Sequence, residues 1–113
     1  MASARLLAPA FRRPAIYHCE QAAEKAFKAL LVAKDVPFRP THDLRKHGTD
    51  VAVLFPQLAA LMREAANLTV YATGSHYPTE QVVEVDSAAL DGALDLADRV
   101  VTAAKAAVDA ELP

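Results

Sequence analysis

The stretch "YHCEQAAEKAFKALL" at residues 17–31 decides the fold class of this chain. It contains neither proline nor glycine, and the strong helix formers alanine and leucine supply much of it. Together with the residue before it, the stretch carries apolar side chains at spacings that fall on one face of a helix, at Ile16, Ala23, Phe27 and Leu30. The sequence therefore predicts an amphipathic helix with one buried stripe.

Prolines on either side give the limits of this helix. Pro14 suits a first helical position, because its missing N–H group would have no partner there. Pro37 and Pro40 prevent the helix from continuing beyond about Lys34. We therefore predict a helix from Pro14 to Lys34, preceded by one short helical turn at residues 3–8.

The middle of the chain reads as two further helices. Thr41 is predicted to cap a third helix, with Asp43 in the first turn, where negative charge meets the positive helix end. Gly48 is expected to weaken or break that helix. A fourth helix is predicted after Pro56, with apolar side chains on one face at Leu58, Leu61, Met62, Ala65 and Leu68.

The C-terminal part is predicted to be a loop followed by a long helix. Gly74 and Pro78 mark the loop at residues 71–80, and Asp86 or Ser87 can cap the helix. Apolar residues then recur with heptad-like spacing, at Leu90, Leu94, Ala97, Val101, Ala104 and Val108. We predict an all-α fold, an antiparallel up-and-down bundle of four to five helices. The alternative for "QVVEV", residues 81–85, is a short strand.

Size, composition and charge agree with one helical domain over residues 1–113. Hydrophobic residues make up 53% of the chain and aromatic residues only 6%, a mixture that favours helices. A net charge of −2 excludes the global basic field that binds duplex nucleic acid indiscriminately. Cys19 is the only cysteine, and no stretch reaches the ~20 apolar residues of a membrane span. We expect a cytoplasmic protein without a membrane partner.

Glu24 and Lys28 stand one turn apart on a helix surface and are candidate site residues. Three further groups of side chains are also candidates for chemistry. His42 and Asp43 begin the third helix, and serve either as an anion site or as a helix start. A second group, His76 and Tyr77, lies in the loop and either contacts a base or phosphate, or closes the end of the bundle. The third group, at the entry to the second helix, is basic and comprises Arg12, Arg13 and His18.

Other classes of site find little support in the sequence. The three glycines are not clustered into a phosphate-binding loop, and no nucleophile-elbow pattern occurs. The four histidines are scattered, with His42 and His47 the nearest to a pair. We therefore expect no metal site and no cofactor.

Two segments in this order resemble the HEPN domain, a small all-α bundle. They are "YHCEQAAEKAFKALLVAKDVPFRPTHDL" and, later, "YATGSHYP", and the resemblance covers about residues 5–108. The resemblance implies four or five helices and a homodimer. It also implies a nucleotidyltransferase partner, with the HEPN protein as substrate-binding subunit or as the toxin of a toxin–antitoxin pair. The residues that match the family around a nucleotide- or RNA-binding groove are Glu24, Lys28, His42, Asp43 and Tyr77, with His76 where the family often has arginine.

Some proteins of this family are metal-independent ribonucleases, and this is the alternative function. Their signature is an arginine followed, after four to six residues, by a histidine that works with its symmetry mate across a dimer. Arg13 and His18 have this spacing and are the candidate catalytic pair, although they lie at the front of the chain. No arginine stands at the required distance before His76, which favours the binding module over the enzyme.

Overall fold

The computed structural model describes residues 11–41, 43–68 and 86–112, and these residues form four α-helices. The helices are α1 (Arg12–Ala33), α2 (Leu44–Leu54), α3 (Ala59–Ala66) and α4 (Ser87–Glu111), with a 3-10 turn (Pro56–Leu58) before α3. No strand occurs in the described ranges, so the predicted all-α class is confirmed. The short turn expected at residues 3–8 and the alternative strand at residues 81–85 lie outside the described residues.

The long helix α1 has close to the predicted limits. It begins at Arg12, so Pro14 falls in the first turn, where backbone N–H groups lack helical acceptors. At its other end Asp35 adopts a left-handed φ of 57°. The N–H of Val36 then donates to Leu31 O and that of Asp35 to Val32 O, both at 2.9 Å, which is a Schellman motif. The chain therefore turns sharply out of α1.

Helix α2, which is the third helix of the prediction, differs from it in two respects: Thr41 is not the cap, and Gly48 does not break the helix. The cap is Asp43, whose Oδ1 accepts a hydrogen bond from the N–H of Arg45 at 2.9 Å. Thr41 lies two residues before the cap, where its hydroxyl oxygen accepts from the N–H of Asp43 at 3.1 Å. Gly48 does not break the helix, which continues to Leu54, because the buried glycine packs between α3 and α1. Tertiary packing outweighs the weak helix propensity of glycine here.

The core lies where the four helices meet. The helix α1 packs along α4, α2 packs against both α1 and α3, and α3 also contacts α4. Side chains that are almost completely inaccessible form one apolar cluster. Its largest members are Phe27, Leu30, Leu31, Leu44, Val51, Met62, Leu90 and Val100.

The last helix begins as predicted but buries a slightly different face. Asp86 caps α4, because its Oδ1 accepts from the N–H of Ala89 at 2.7 Å. The buried residues of α4 are Leu90, Ala93, Leu96, Ala97, Val100 and Ala104. Val101, expected in the buried stripe, is 43% exposed.

The ends of the two long helices show how α1 and α4 run. Lys34, which follows α1, forms an ion pair of 2.7 Å with Glu111 at the end of α4. Both contacting ends are C-terminal, so the two helices end on the same side of the molecule and are not antiparallel neighbours. The connection between α3 and α4 is about 20 residues long in the sequence, whereas an up-and-down bundle has short loops.

None of the helices in the described ranges is both long and apolar enough to span a bilayer.

Candidate functional site

The candidate site is centred on Lys28, on the exposed side of α1. Its Nζ lies 3.8 Å from Oε2 of Glu24, one helical turn earlier, and 4.9 Å from the centroid of the Phe38 ring. The Glu24 side chain is buried at 5% exposure, whereas that of Lys28 is 27% exposed. A buried carboxylate and an aromatic ring therefore hold a lysine whose ammonium group still reaches solvent.

Phe38 reaches Lys28 because of the turn that ends α1. The Schellman motif at Asp35 and Val36 directs the chain back toward α1, and the following Pro37 restricts the backbone. Phe38 is 44% exposed, so part of it can contact a ligand. The site prediction did not include Phe38. Its signal in the sequence was an aromatic residue between Pro37 and Pro40, in a segment too short to bury it.

Two contacts fasten the segment after Phe38 to α2. The Arg39 guanidinium donates from Nε and Nη2 to the two carboxylate oxygens of Asp50, each at 2.8 Å. Further on, Nε2 of His47 lies 2.6 Å from the carbonyl oxygen of Thr41. A carbonyl oxygen only accepts, so Nε2 carries the hydrogen and donates it. These contacts fix the connection between α1 and α2 at two points.

His47 is a second residue that the site prediction missed. Its side chain is completely buried, and Nδ1 has no hydrogen-bond partner among the described residues. In the sequence it stands next to Gly48 and among charged residues, with nothing that marks it as interior. We assign it a positioning role, because its one hydrogen bond holds the backbone immediately before the cap of α2.

Asp43, which was predicted to bind the ligand, accepts hydrogen bonds from Arg45 on both carboxylate oxygens. Its Oδ1 accepts from N and Nε of Arg45, and its Oδ2 accepts from Nη2 at 3.0 Å. The hydrogen bond from the Arg45 guanidinium, with smaller contributions from the backbone and nearby positive charge, lowers the pKa of Asp43 below its usual range. Asp43 therefore stays ionised at neutral pH and caps α2.

The candidate catalytic pair, Arg13 and His18, lies in the first turns of α1. Five helical positions correspond to about 140° around the axis, so the two side chains project in different directions. His18 is exposed, and its ring meets the edge of Tyr17 at 5.9 Å between centroids. Arg13 and His18 as a catalytic pair stay a prediction.

A protein-family model of the HEPN domain matches residues 2–107, nearly the whole chain. The chain belongs to the HEPN domain family. Comparison with curated proteins and with solved structures gives no significant match. The resemblance inferred from "QAAEKAFKALL" and "THDL" is thereby confirmed, with the first of these in α1 of the HEPN domain and the second leading into α2.

Three predicted site residues of this HEPN domain, His42, His76 and Tyr77, lie outside the described residues. Their predicted convergence with Lys28 and Asp43 stays a prediction. In the ranges that are described, no group of three or more His, Cys, Asp or Glu side chains is arranged to hold a metal ion. Burial raises the pKa of the Cys19 thiol, which disfavours the reactive thiolate.

Proposed function

We propose that this HEPN domain is a nucleotide- or RNA-binding module whose ligand contacts Lys28 and Phe38. The observation that carries the proposal is the placement of Nζ of a partly exposed lysine 4.9 Å from the ring centroid of a partly exposed phenylalanine. A lysine can pair with a phosphate, and an aromatic ring provides a surface on which any base can stack. Neither feature depends on base identity, so the proposed site selects nucleic acid without a strong sequence preference.

The surroundings of Lys28 support this function. Glu24 is buried beneath the ammonium group, and its contact restricts where that group can lie. A side chain held in place before binding loses less conformational entropy when the ligand arrives. His42, His76 and Tyr77 are proposed to complete the groove. Asp43 is proposed to act indirectly, by capping the helix that follows the loop.

The partners expected from the family form part of the proposal. We propose a homodimer, a nucleotidyltransferase partner and a substrate-binding or toxin–antitoxin role in the cytoplasm. A groove of about 390 Å³ between α1 and α4 supports the homodimer. Its walls include Ala26, Ala29, Val101 and Val108, and Val101 is 43% exposed. A second copy packing on this face would bury that apolar surface.

Calorimetric titration tests the ligand site, with ATP and a 5′-phosphorylated single-stranded RNA oligonucleotide as separate probes. We expect Lys28→Met and Phe38→Ala each to weaken binding by about 1–2 kcal/mol, roughly five- to thirtyfold. Lys25→Met is the matched control, because Lys25 is an exposed lysine on the same helix and contacts no other described charged group. Absence of saturable binding to the wild-type protein, or an equal loss in Lys25→Met, would refute the site.

A further inference from the structure

A second groove lies between α2 and α3, away from Lys28. Its volume is about 440 Å³. Only Phe55 and the 3-10 turn connect the two helices, which therefore form a hairpin. The floor consists mainly of small side chains, at Gly48, Ala52, Ala59 and Ala66. Small residues keep the groove shallow and allow another backbone to approach closely.

The groove has a basic end. Arg45 is the second residue of α2 and Arg63 lies in the last turn of α3, so the hairpin places both arginines at the end away from the connection. Arg45 pairs with Asp43 and is 71% exposed. Arg63 is exposed and makes no hydrogen bond or ion pair with any other described residue. Arg63 therefore offers a cationic group to a partner, whereas the exposed Arg45 guanidinium already bonds both carboxylate oxygens of Asp43.

The other end of the groove is apolar. Val53, close to the connection, is 76% exposed, the largest exposure among the large hydrophobic side chains of the described residues. Ala59 lies at the start of α3, at the same end. The groove thus changes from basic to apolar along a length of about 12 Å, the rise of α2 between Arg45 and Val53. An occupant that matches both parts carries apolar groups and negative charge.

Two other occupants fit the groove less well. The groove-lining residues include no aromatic ring and no side-chain amide to hold a base, and the Thr49 hydroxyl already donates to Arg45 O at 2.8 Å. A second copy is proposed to pack on the α1–α4 groove instead, and a closed two-fold dimer uses one patch twice, so such a dimer leaves the α2–α3 groove uncovered. A convex helix fills a groove between two helices.

We propose that the α2–α3 groove binds an amphipathic helix of a partner protein, with the apolar face of that helix on the alanine floor and its carboxylates beside Arg45 and Arg63. The described residues that line the groove do not include Lys28 or Phe38, and in the described ranges the two proposed surfaces adjoin only at the Arg45–Asp43 ion pair. The proposal does not depend on the nucleotide-binding function. Apolar contact provides the area that the partner buries, and the arginine pair determines which end of the partner helix carries the acidic groups.

The test uses the full chain and a designed helical peptide of about 14 residues, roughly four turns, with leucines on one face and glutamates at one end. The control peptide has lysines in place of the glutamates. We expect saturable binding of the acidic peptide by fluorescence anisotropy, at least about tenfold tighter than the lysine peptide and weaker at high salt. Amide chemical-shift changes should lie at Gly48, Thr49, Ala52 and Arg63.

Variants separate the groove from general electrostatic attraction. Arg63→Glu should weaken binding of the acidic peptide about tenfold. Lys25→Glu, the same charge change on α1, should leave the affinity for that peptide within about twofold of the wild-type value. Ala52→Leu should also weaken binding by filling the groove, in contrast to Ala29→Leu in the α1–α4 groove. Circular dichroism confirms that each variant is folded.

Several results would overturn the proposal. These are equal affinity for the two peptides, equal losses in Arg63→Glu and Lys25→Glu, or shift changes confined to α1 and α4. Loss of ATP or RNA binding in Arg63→Glu would assign the groove to nucleic acid instead. A change from dimer to monomer in that variant would assign it to a second copy. Failure of the nucleotide titrations with wild-type protein leaves the peptide, chemical-shift and dimer outcomes unaffected.

Discussion

Gly48→Ala offers a direct test of how α2 packs. In the structure Gly48 lies inside a continuous helix and is buried against α3 and α1. A Cβ atom added there would lie 3.6 Å from Met62 Cβ and 3.7 Å from Cε2 of Phe27, which are ordinary van der Waals distances. The new methyl group therefore finds contacts without displacing its neighbours. We expect the substitution to stabilise the protein.

The magnitude follows from two contributions. Replacing glycine by alanine in a helix interior gains about 1 kcal/mol from helix propensity. Burying the added methyl group gains up to about 0.8 kcal/mol more. Gly92→Ala is the matched control, because Gly92 is an exposed residue inside α4 with no heavy atom within 4 Å of the added Cβ. Gly92→Ala should raise the free energy of unfolding only by the contribution from helix propensity.

Urea denaturation measures both free energies of unfolding, and thermal unfolding should show midpoint increases of roughly 4–8 °C per kcal/mol. Gly48→Ala should exceed Gly92→Ala by a few tenths of a kcal/mol or more, since only the first adds a buried methyl group. A destabilised Gly48→Ala beside a stabilised Gly92→Ala would refute this reasoning. It would show that α2 and α3 approach more closely than the 3.6 Å contact allows.

Three further predictions concern charge, assembly and catalysis. The pKa of Asp43 is lowered in the folded protein, so its ionised form stabilises the fold above the unfolded-state pKa of about 3.9. This stabilisation is lost as pH falls through the lower pKa of the folded protein. The difference in urea midpoint between wild type and Asp43→Asn should therefore shrink below about pH 4. Val101→Glu should convert the proposed dimer to a monomer in light scattering, whereas the exposed α4 control Thr102→Glu should not. Single-stranded RNA should stay intact with purified protein in EDTA, and cleavage that disappears in His18→Ala would instead establish the ribonuclease alternative.

The parts of the fold that sequence predicts well are those with local causes. The limits of α1 follow from Pro14, from helix propensity and from the prolines after the helix, and the start of α4 follows from the Asp86 side chain. The expected break at Gly48 does not occur, because Met62 and Phe27, which pack around it, come from other helices. Propensity alone does not include such contacts.

The stripe on α4 shows a second limit of sequence patterns. The predicted members Leu90, Ala97 and Ala104 are buried, but the positions between them are Ala93 and Val100 rather than Leu94 and Val101. Apolar residues stand at both pairs of positions in the sequence, so the pattern alone does not decide between them. One residue corresponds to about 100° around the helix, and Val101, which is 43% exposed, lines the α1–α4 groove.

The candidate site was also predictable only where its contacts are local. Glu24 and Lys28 are one turn apart on a helix, so their contact follows from spacing. Phe38 joins them through the left-handed turn at Asp35, which no pattern in the sequence indicated. His47 donates to a backbone carbonyl six residues away, and only the packing of α2 on α1 shows that its side chain is interior.

The two proposed surfaces can act separately because α2 presents different faces to them. At about 100° per residue, His47, Asp50 and Val51 lie on one side of α2, which faces the core and the segment that carries Phe38. Arg45 and Ala52 lie on the opposite side and line the groove with α3. A helix docked in that groove would leave Lys28 and Phe38 uncovered, so a bound partner need not exclude the ligand. Coupling between the sites would require α2 to have a second arrangement. The hydrogen bond from His47 and the Arg39–Asp50 ion pair both oppose such a movement, and we therefore expect the acidic peptide to leave ATP affinity unchanged.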